Sequence, residues 1–185
     1  MRLFLALELS QDVKTQLQKQ QDYLKKALEP SWFRFANSQN LHLTLIFLGE
    51  IAETKLSGIK QSMAFACRKQ TSFWLSTDQL GAFPSLHRPS VIWTGVSGEL
   101  EPLKNLQHRL SQQLTNLYQK EKAYHPHLTL ARVKSFGKNQ QIAEILSEAP
   151  QFQAVSWQLS QVHLYESKLK AEGSQYQILH SERIN

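Results

Sequence analysis

The chain has 185 residues, 41% hydrophobic and 19% charged, the profile of one ordinary globular domain or of two small lobes sharing a core. Lys and Arg outnumber Asp and Glu by 21 to 15, a formal charge of +6 that suits a polyanionic partner such as nucleic acid and equally a modestly basic protein without one. A lone cysteine excludes an internal disulfide, and no stretch approaches the roughly 20 apolar residues of a membrane span.

Residues Leu3 to Leu9 read as a buried first strand; the apolar run meets Glu8 too soon to be a signal-peptide core, so a cytoplasmic protein is expected. Ser10 is placed to cap the next helix, in which Val13, Leu17, Leu24 and Leu28 recur at helical spacing until Pro30. Trp32 to Ala36 alternates weakly. His42-Leu43-Thr44-Leu45 then opens a strand that continues through Ile46, Phe47 and Leu48 to Gly49. Leu56, Ile59, Met63 and Cys67 mark a second helix, which puts the Cys67 thiol in the core. Phe73, Leu75 and Thr77 alternate as a strand, and Pro84 to Ser90 is the clearest loop.

A similar plan follows. Val91 to Val96 is a strand, and Leu100, Leu103, Leu106, Leu110, Leu114 and Leu117 form the stripe of a helix that carries Pro102 in its first turn. His125-Pro126 leads into His127-Leu128-Thr129-Leu130, the first motif repeated 85 residues on. Ile142, Ile145 and Leu146 give a short helix ended by Pro150. Phe152 to Tyr165 is one long β-type stretch, with Ser174 to Leu179 pairing back on it across Gly173. Each half thus reads strand, helix, motif strand, helix, strand. One bilobed domain over residues 1–185 is expected, with an internal repeat of approximately 1–83 and 90–180.

Seven His and eight Thr predict roughly 0.3 His-x-Thr triplets by chance, so two identical His-Leu-Thr-Leu copies are a signal. On a strand, His42 and Thr44 share one face and Leu43 and Leu45 the other; His127 and Thr129 stand likewise against Leu128 and Leu130. The leucines give each strand a face to bury. The imidazoles and hydroxyls are left for a groove. A single strand histidine is more often packed than catalytic; the repetition carries the inference. Two imidazoles with ordinary pKa near 6.5 suit a reaction that takes a proton at one end and gives one at the other, as in-line phosphodiester cleavage does. The threonine hydroxyls would donate to the non-bridging oxygens. His125 and His127 have the His-x-His spacing of some metal sites, yet the motif strands carry no carboxylate, so no metal site is expected.

These motifs resemble those of the 2H phosphoesterase superfamily. Arg2 to Leu7, Asn40 to Glu50, His125 to Arg132 and Val162 to Ser167 are similar to its bacterial RNA 2′,3′-cyclic phosphodiesterase branch, also called 2′-5′ RNA ligase, from the first strand to near the chain's end. The resemblance implies an α+β fold, a bilobed pseudo-two-fold duplication whose two antiparallel sheets flank a central cleft with helices on the outside. It implies hydrolysis of RNA 2′,3′-cyclic phosphate ends to 2′-phosphates without metal or cofactor, and 2′-5′ ligation as the reverse activity. By motif position His42 would be the proton donor, His127 the proton acceptor, and Thr44 and Thr129 the phosphate-binding residues. The residues themselves leave open which histidine takes which role. Arg132 also fits the family pattern and would neutralise phosphate charge, but strict alternation sets it on the face opposite His127.

His125 is a candidate support for His127 through a hydrogen bond. His87 belongs to the exposed loop, His108 to the polar side of its helix, His180 to the terminal region, and His163 to the wet face of its strand. Tyr124, Tyr165 and Trp93 are candidates for stacking on bases or for packing. A monomer acting on RNA or oligonucleotide ends, with no membrane partner, is the expected form. The competing readings are a non-catalytic RNA-end-binding module and a phosphodiesterase for small cyclic nucleotides or 2′-5′ oligonucleotides.

Overall fold

The computed structural model describes residues 1–118, 123–134, 142–170 and 173–184. Strand β1 (Arg2–Glu8) is buried throughout its middle and runs into helix α1 (Gln11–Ala27). That helix starts where expected, because Ser10 Oγ accepts the Val13 N–H at 3.3 Å and Asp12 lies in the positive first turn. Lys25 and Lys26 complement its last turn, and Pro30 stands just beyond the end. The chain continues through β2 (Phe33–Phe35), β3 (His42–Glu50), α2 (Leu56–Cys67), β4 (Phe73–Phe83), β5 (Val91–Gly98) and α3 (Leu100–Gln113). It ends with β6 (His127–Val133), α4 (Ile142–Ser147), β7 (Ser156–Leu159), β8 (Gln161–Lys170) and β9 (Gly173–Arg183).

Two antiparallel sheets result, one of four strands ordered β3-β1-β8-β9 and one of five ordered β2-β6-β5-β4-β7. Neither half of the chain closes a sheet alone. The strand after α2 crosses into the sheet of β5 and β6, while β8 crosses back beside β1. The helices are exchanged in the same way: α1 follows β1 yet packs on β6, and α3 follows β5 yet packs on β3 and on α2. Tyr23 Oη of α1 donates to the Ile145 carbonyl of α4 at 3.0 Å. The two motif strands, β3 and β6, touch each other between the sheets.

The leucine faces lie where alternation sets them, with Leu43, Leu45, Leu128 and Leu130 at most 3% exposed. Each contributes on the order of 1.5–3 kcal/mol of burial. Cys67 is in the core as expected, and burial pushes its thiol up to about 12, so it stays protonated and inert. No described helix is long and apolar enough to cross a membrane.

Three elements differ from the sequence reading. Helix α3 ends at Gln113 instead of reaching Leu117, because Thr115 and Asn116 favour helix weakly; Leu114 remains fully buried as its cap. Strand β4 runs on to Phe83, with an irregularity between Thr77 and Leu80. The β-type stretch from Phe152 is not one strand: only Ser156 onward is ordered into sheet, and Ser160 divides β7 from β8, which belong to different sheets.

Candidate active site

Both motif strands deform at the same step. Opposite β1, Ala6 pairs with Thr44 and Leu5 with Ile46, leaving Leu45 as an extra residue. Opposite β5, Trp93 pairs with Thr129 and Ile92 with Ala131, leaving Leu130 extra. Leu45 with Ile46, and Leu130 with Ala131, are therefore buried at consecutive positions, and the alternation reverses beyond them. Arg132, a substrate-binding candidate that uninterrupted alternation would turn away, thereby comes to the face of His127 and Thr129 and lines the groove. Phe47, 85 residues earlier, turns to the groove in the same way and is 46% exposed.

Each bulge is braced by a glutamine from a helix. Gln21 of α1, 1% exposed, donates its amide to the carbonyls of Leu130 at 2.9 Å and of Ala36 at 2.8 Å. Gln107 of α3 reaches the Leu45 carbonyl at 3.5 Å. Gln20, beside Gln21, accepts from Thr94 Oγ1 of β5.

His42 and His127 are held by the same device. The Nδ1 of His42 is 2.6 Å from the Asn40 carbonyl, and the Nδ1 of His127 is 2.7 Å from the His125 carbonyl. A carbonyl only accepts, so Nδ1 carries the hydrogen in each contact, and proton transfer at a neutral ring falls to Nε2. His125 supports His127 through its backbone, while its own ring is on an exposed residue.

Aromatic rings fix both imidazoles. His42 lies 4.8 Å from Phe4 and meets Tyr176 edge-on at 5.3 Å. His127 stands edge-on to Phe83 at 4.9 Å with Trp93 at 6.3 Å. Burial lowers the pKa of His42, the positive charge of His127 and Arg132 lowers it further, and the hydrogen bond to Asn40 opposes them.

His42, Thr44, Thr129 and Arg132 line one groove of about 670 Å³ between the sheets, with Arg2, Arg34 and Lys170 adding positive charge. Among the described residues no Asp or Glu lines it. His127 sits two residues before Thr129 on the same strand face, near enough for its charge to act on His42. Among the described residues no three His, Cys, Asp or Glu side chains are grouped to share a metal ion.

The remaining candidates fall elsewhere. His87 and His108 are exposed, and His180 contacts Glu182 at 2.6 Å. His163 is not on a wet face: it is 3% exposed, with Nδ1 2.7 Å from Ser181 Oγ and Nε2 3.7 Å from Glu8. Tyr165 stacks on Phe4 at 5.0 Å, and burial, with the Glu8 charge, pushes its hydroxyl up to about 12. Tyr124 Oη donates to the Thr44 carbonyl at 3.1 Å, tying the approach to β6 onto β3. Sequence reasoning missed Phe47, Arg34 and Tyr176. The 85-residue offset that pairs the motifs also pairs Phe47 with Arg132 and was a usable signal; Arg34 and Tyr176 had none.

The sequence model of the 2′-5′ RNA ligase superfamily matches residues 9–171. A protein of Methanothermobacter thermautotrophicus named RNA 2′,3′-cyclic phosphodiesterase is 32% identical over 176 residues, 95% of this chain and 94% of that one. One of the same name from Escherichia coli is 30% identical over 133 residues, 71% of each chain. Among solved structures, TT0787 of Thermus thermophilus superposes with a TM-score of 0.77 at 26% identity, covering 100% of this chain and 98% of that one. E. coli LigT complexed with 3′-AMP gives 0.75 at 27% identity, covering 99% and 97%. With its two motif strands, its paired sheets and a match over most of its length, this chain belongs to the 2′-5′ RNA ligase superfamily of 2H phosphoesterases.

Proposed function

We propose that the chain hydrolyses RNA 2′,3′-cyclic phosphate ends to 2′-phosphates; its relatives are named RNA 2′,3′-cyclic phosphodiesterase. His127 Nε2 takes a proton from water as the water oxygen bonds to phosphorus; the bond from phosphorus to the 3′ oxygen breaks, and His42 Nε2 gives that oxygen a proton. Thr44 and Thr129 donate to the non-bridging oxygens, and Arg132 balances their charge. A 5′ hydroxyl in place of water yields the 2′-5′ linkage by the same transfers. The observation that carries this reading is the matched pair of Nδ1 contacts to the carbonyls of Asn40 and His125, which holds both rings in the same orientation and tautomer.

The depressed pKa of His42 fits this order. Burial, first of all, holds it below 6.5 in the free protein, and an arriving phosphate anion, which offsets the charge of Arg132, favours the protonated ring as substrate binds. We further propose that the chain is one domain built by duplication of about residues 1–83 and 90–180, acting as a monomer in the cytoplasm.

Product analysis of one RNA ending in a 2′,3′-cyclic phosphate tests the activity. A 2′-phosphate end should form, also in excess chelator, and His42→Gln and His127→Gln should each slow it by about 10²- to 10⁴-fold while remaining folded. Binding without product, or wild-type turnover by either variant, overturns the reading.

A further inference from the structure

The groove carries more positive charge than one reacting phosphate needs, and two of its arginines stand directly opposite each other. Arg34 of β2 pairs directly with Arg132 of β6. Like charges directly opposite across antiparallel strands are unfavourable. Neither guanidinium has a hydrogen-bonding or ion-pair partner among the described residues, both line the groove, and no described Asp or Glu lies there to compensate. Strand β2 holds this arrangement firmly. Phe33 is 2% exposed, and alternation in Phe33-Arg34-Phe35 aims the arginine away from the two rings. The Ala36 N–H donates to the Leu130 carbonyl at 2.8 Å and the Lys134 N–H to the Trp32 carbonyl at 2.8 Å, fastening the strand at both ends. The chain thus fixes two facing cations on short, rigid backbone. An anion between them removes the cost.

In the proposed reaction Arg132 serves the reacting phosphate, because it lines the groove with His42, Thr44 and Thr129. Arg34 lies one strand further out, about 4.8 Å. We propose that Arg34 is a specificity-determining residue that binds the next phosphate of the substrate, the 5′-phosphodiester of the nucleotide bearing the cyclic end. This rests on the proposed hydrolysis and names its substrate class: an RNA end of two or more nucleotides, preferred over a cyclic mononucleotide, which has no such group.

The test compares an adenosine dinucleotide ending in a 2′,3′-cyclic phosphate with the same compound carrying a neutral methylphosphonate linkage, and with 2′,3′-cyclic AMP. Wild-type protein should favour the anionic dinucleotide over the neutral one by at least about tenfold in kcat/KM, the size of a single charge-assisted contact. Arg34→Gln should abolish that preference without lowering the Tm of the free protein, because the substitution relieves a repulsion. A preference that survives in the variant, or no preference in the wild type, overturns the assignment. Calorimetric titration of the three compounds reads the same charge preference without turnover. Absence of hydrolysis of all three would therefore count against the proposed activity alone, while the titration still decides the role of Arg34.

Discussion

Phe47 and Arg132 stand at equivalent steps of β3 and β6, three residues beyond the motif threonines, and each faces the groove because the residue extra to the ladder, Leu45 or Leu130, reverses the alternation before it. One strand thus offers a ring, capped by the Arg2 guanidinium 5.1 Å from its centroid, and the other a cation. The groove is asymmetric in charge although its framework is paired. Arg132→Ala should lower kcat/KM for a cyclic-phosphate RNA end by about 10- to 100-fold, the loss of a hydrogen bond to a charged group. Arg132→Lys should recover only part of it, since an ammonium lacks the guanidinium fork. Steady-state kinetics decide; full activity in Arg132→Ala removes Arg132 from the site, and full activity in Arg132→Lys shows that charge alone suffices.

The glutamine that braces the second bulge links core to chemistry. Gln21→Leu keeps the volume but leaves the Ala36 carbonyl without the Gln21 amide and the Leu130 carbonyl with the Ala36 N–H alone. Denaturant unfolding should show a loss of about 1–3 kcal/mol, the cost of one acceptor left unsatisfied and a second hydrogen bond lost. Because the Leu130 bulge aims Arg132, kcat/KM should fall as well. A variant that loses stability but keeps wild-type kcat/KM would show that the bulge holds its shape unaided.

Such relationships mark where the letters stop being informative. The helical spacing from Val13 to Leu24, the cap at Ser10 and the motif strands are local signals, each carried by side chains within a few residues of one another. Alternation alone puts Arg132 opposite His127, because a bulge depends on the partner strand and leaves no mark in His127 to Val133 itself. His163 was set in solvent because alternation tells which residues share a face, not whether that face is covered; Ser181 and Glu8 meet it there. The break at Ser160 was invisible for a related reason: β7 and β8 have similar composition, and membership of different sheets is a long-range property.

Protonation gives a prediction with a definite sign. Burial, first of all, lowers the pKa of both His42 and His163 from the ordinary 6.5. The folded protein therefore binds fewer protons at these rings than the unfolded chain does, and stability falls as pH drops from about 6.5 toward the folded values. By NMR, His42 should titrate below 6.5 in the free protein and move upward when inorganic phosphate is added. In Arg132→Ala its pKa should also rise, since a neighbouring positive charge is removed. A His42 titration at or above 6.5 without ligand contradicts the depression by burial, and one unmoved by phosphate contradicts its coupling to the bound anion.

Gly81 connects the edge of the site to its centre. It pairs with Trp93, which pairs in turn with Thr129, and a Cβ at residue 81 would lie 2.3 Å from the Trp93 ring. The indole can lie flat there only because the position has no side chain. It must shift in Gly81→Ala, and with it the wall that Trp93 and Phe83 form against His127. The expected loss of stability is about 1–3 kcal/mol from overpacking, together with a fall in kcat larger than the change in KM, because His127 loses its setting while the phosphate contacts remain. Gly58 is the control, exposed in α2 with nothing within 4 Å of a Cβ added there. Gly58→Ala should raise stability by about 0.5–1 kcal/mol and leave both constants alone. If Gly81→Ala behaves like Gly58→Ala, the Trp93 ring has room to move and does not hold His127.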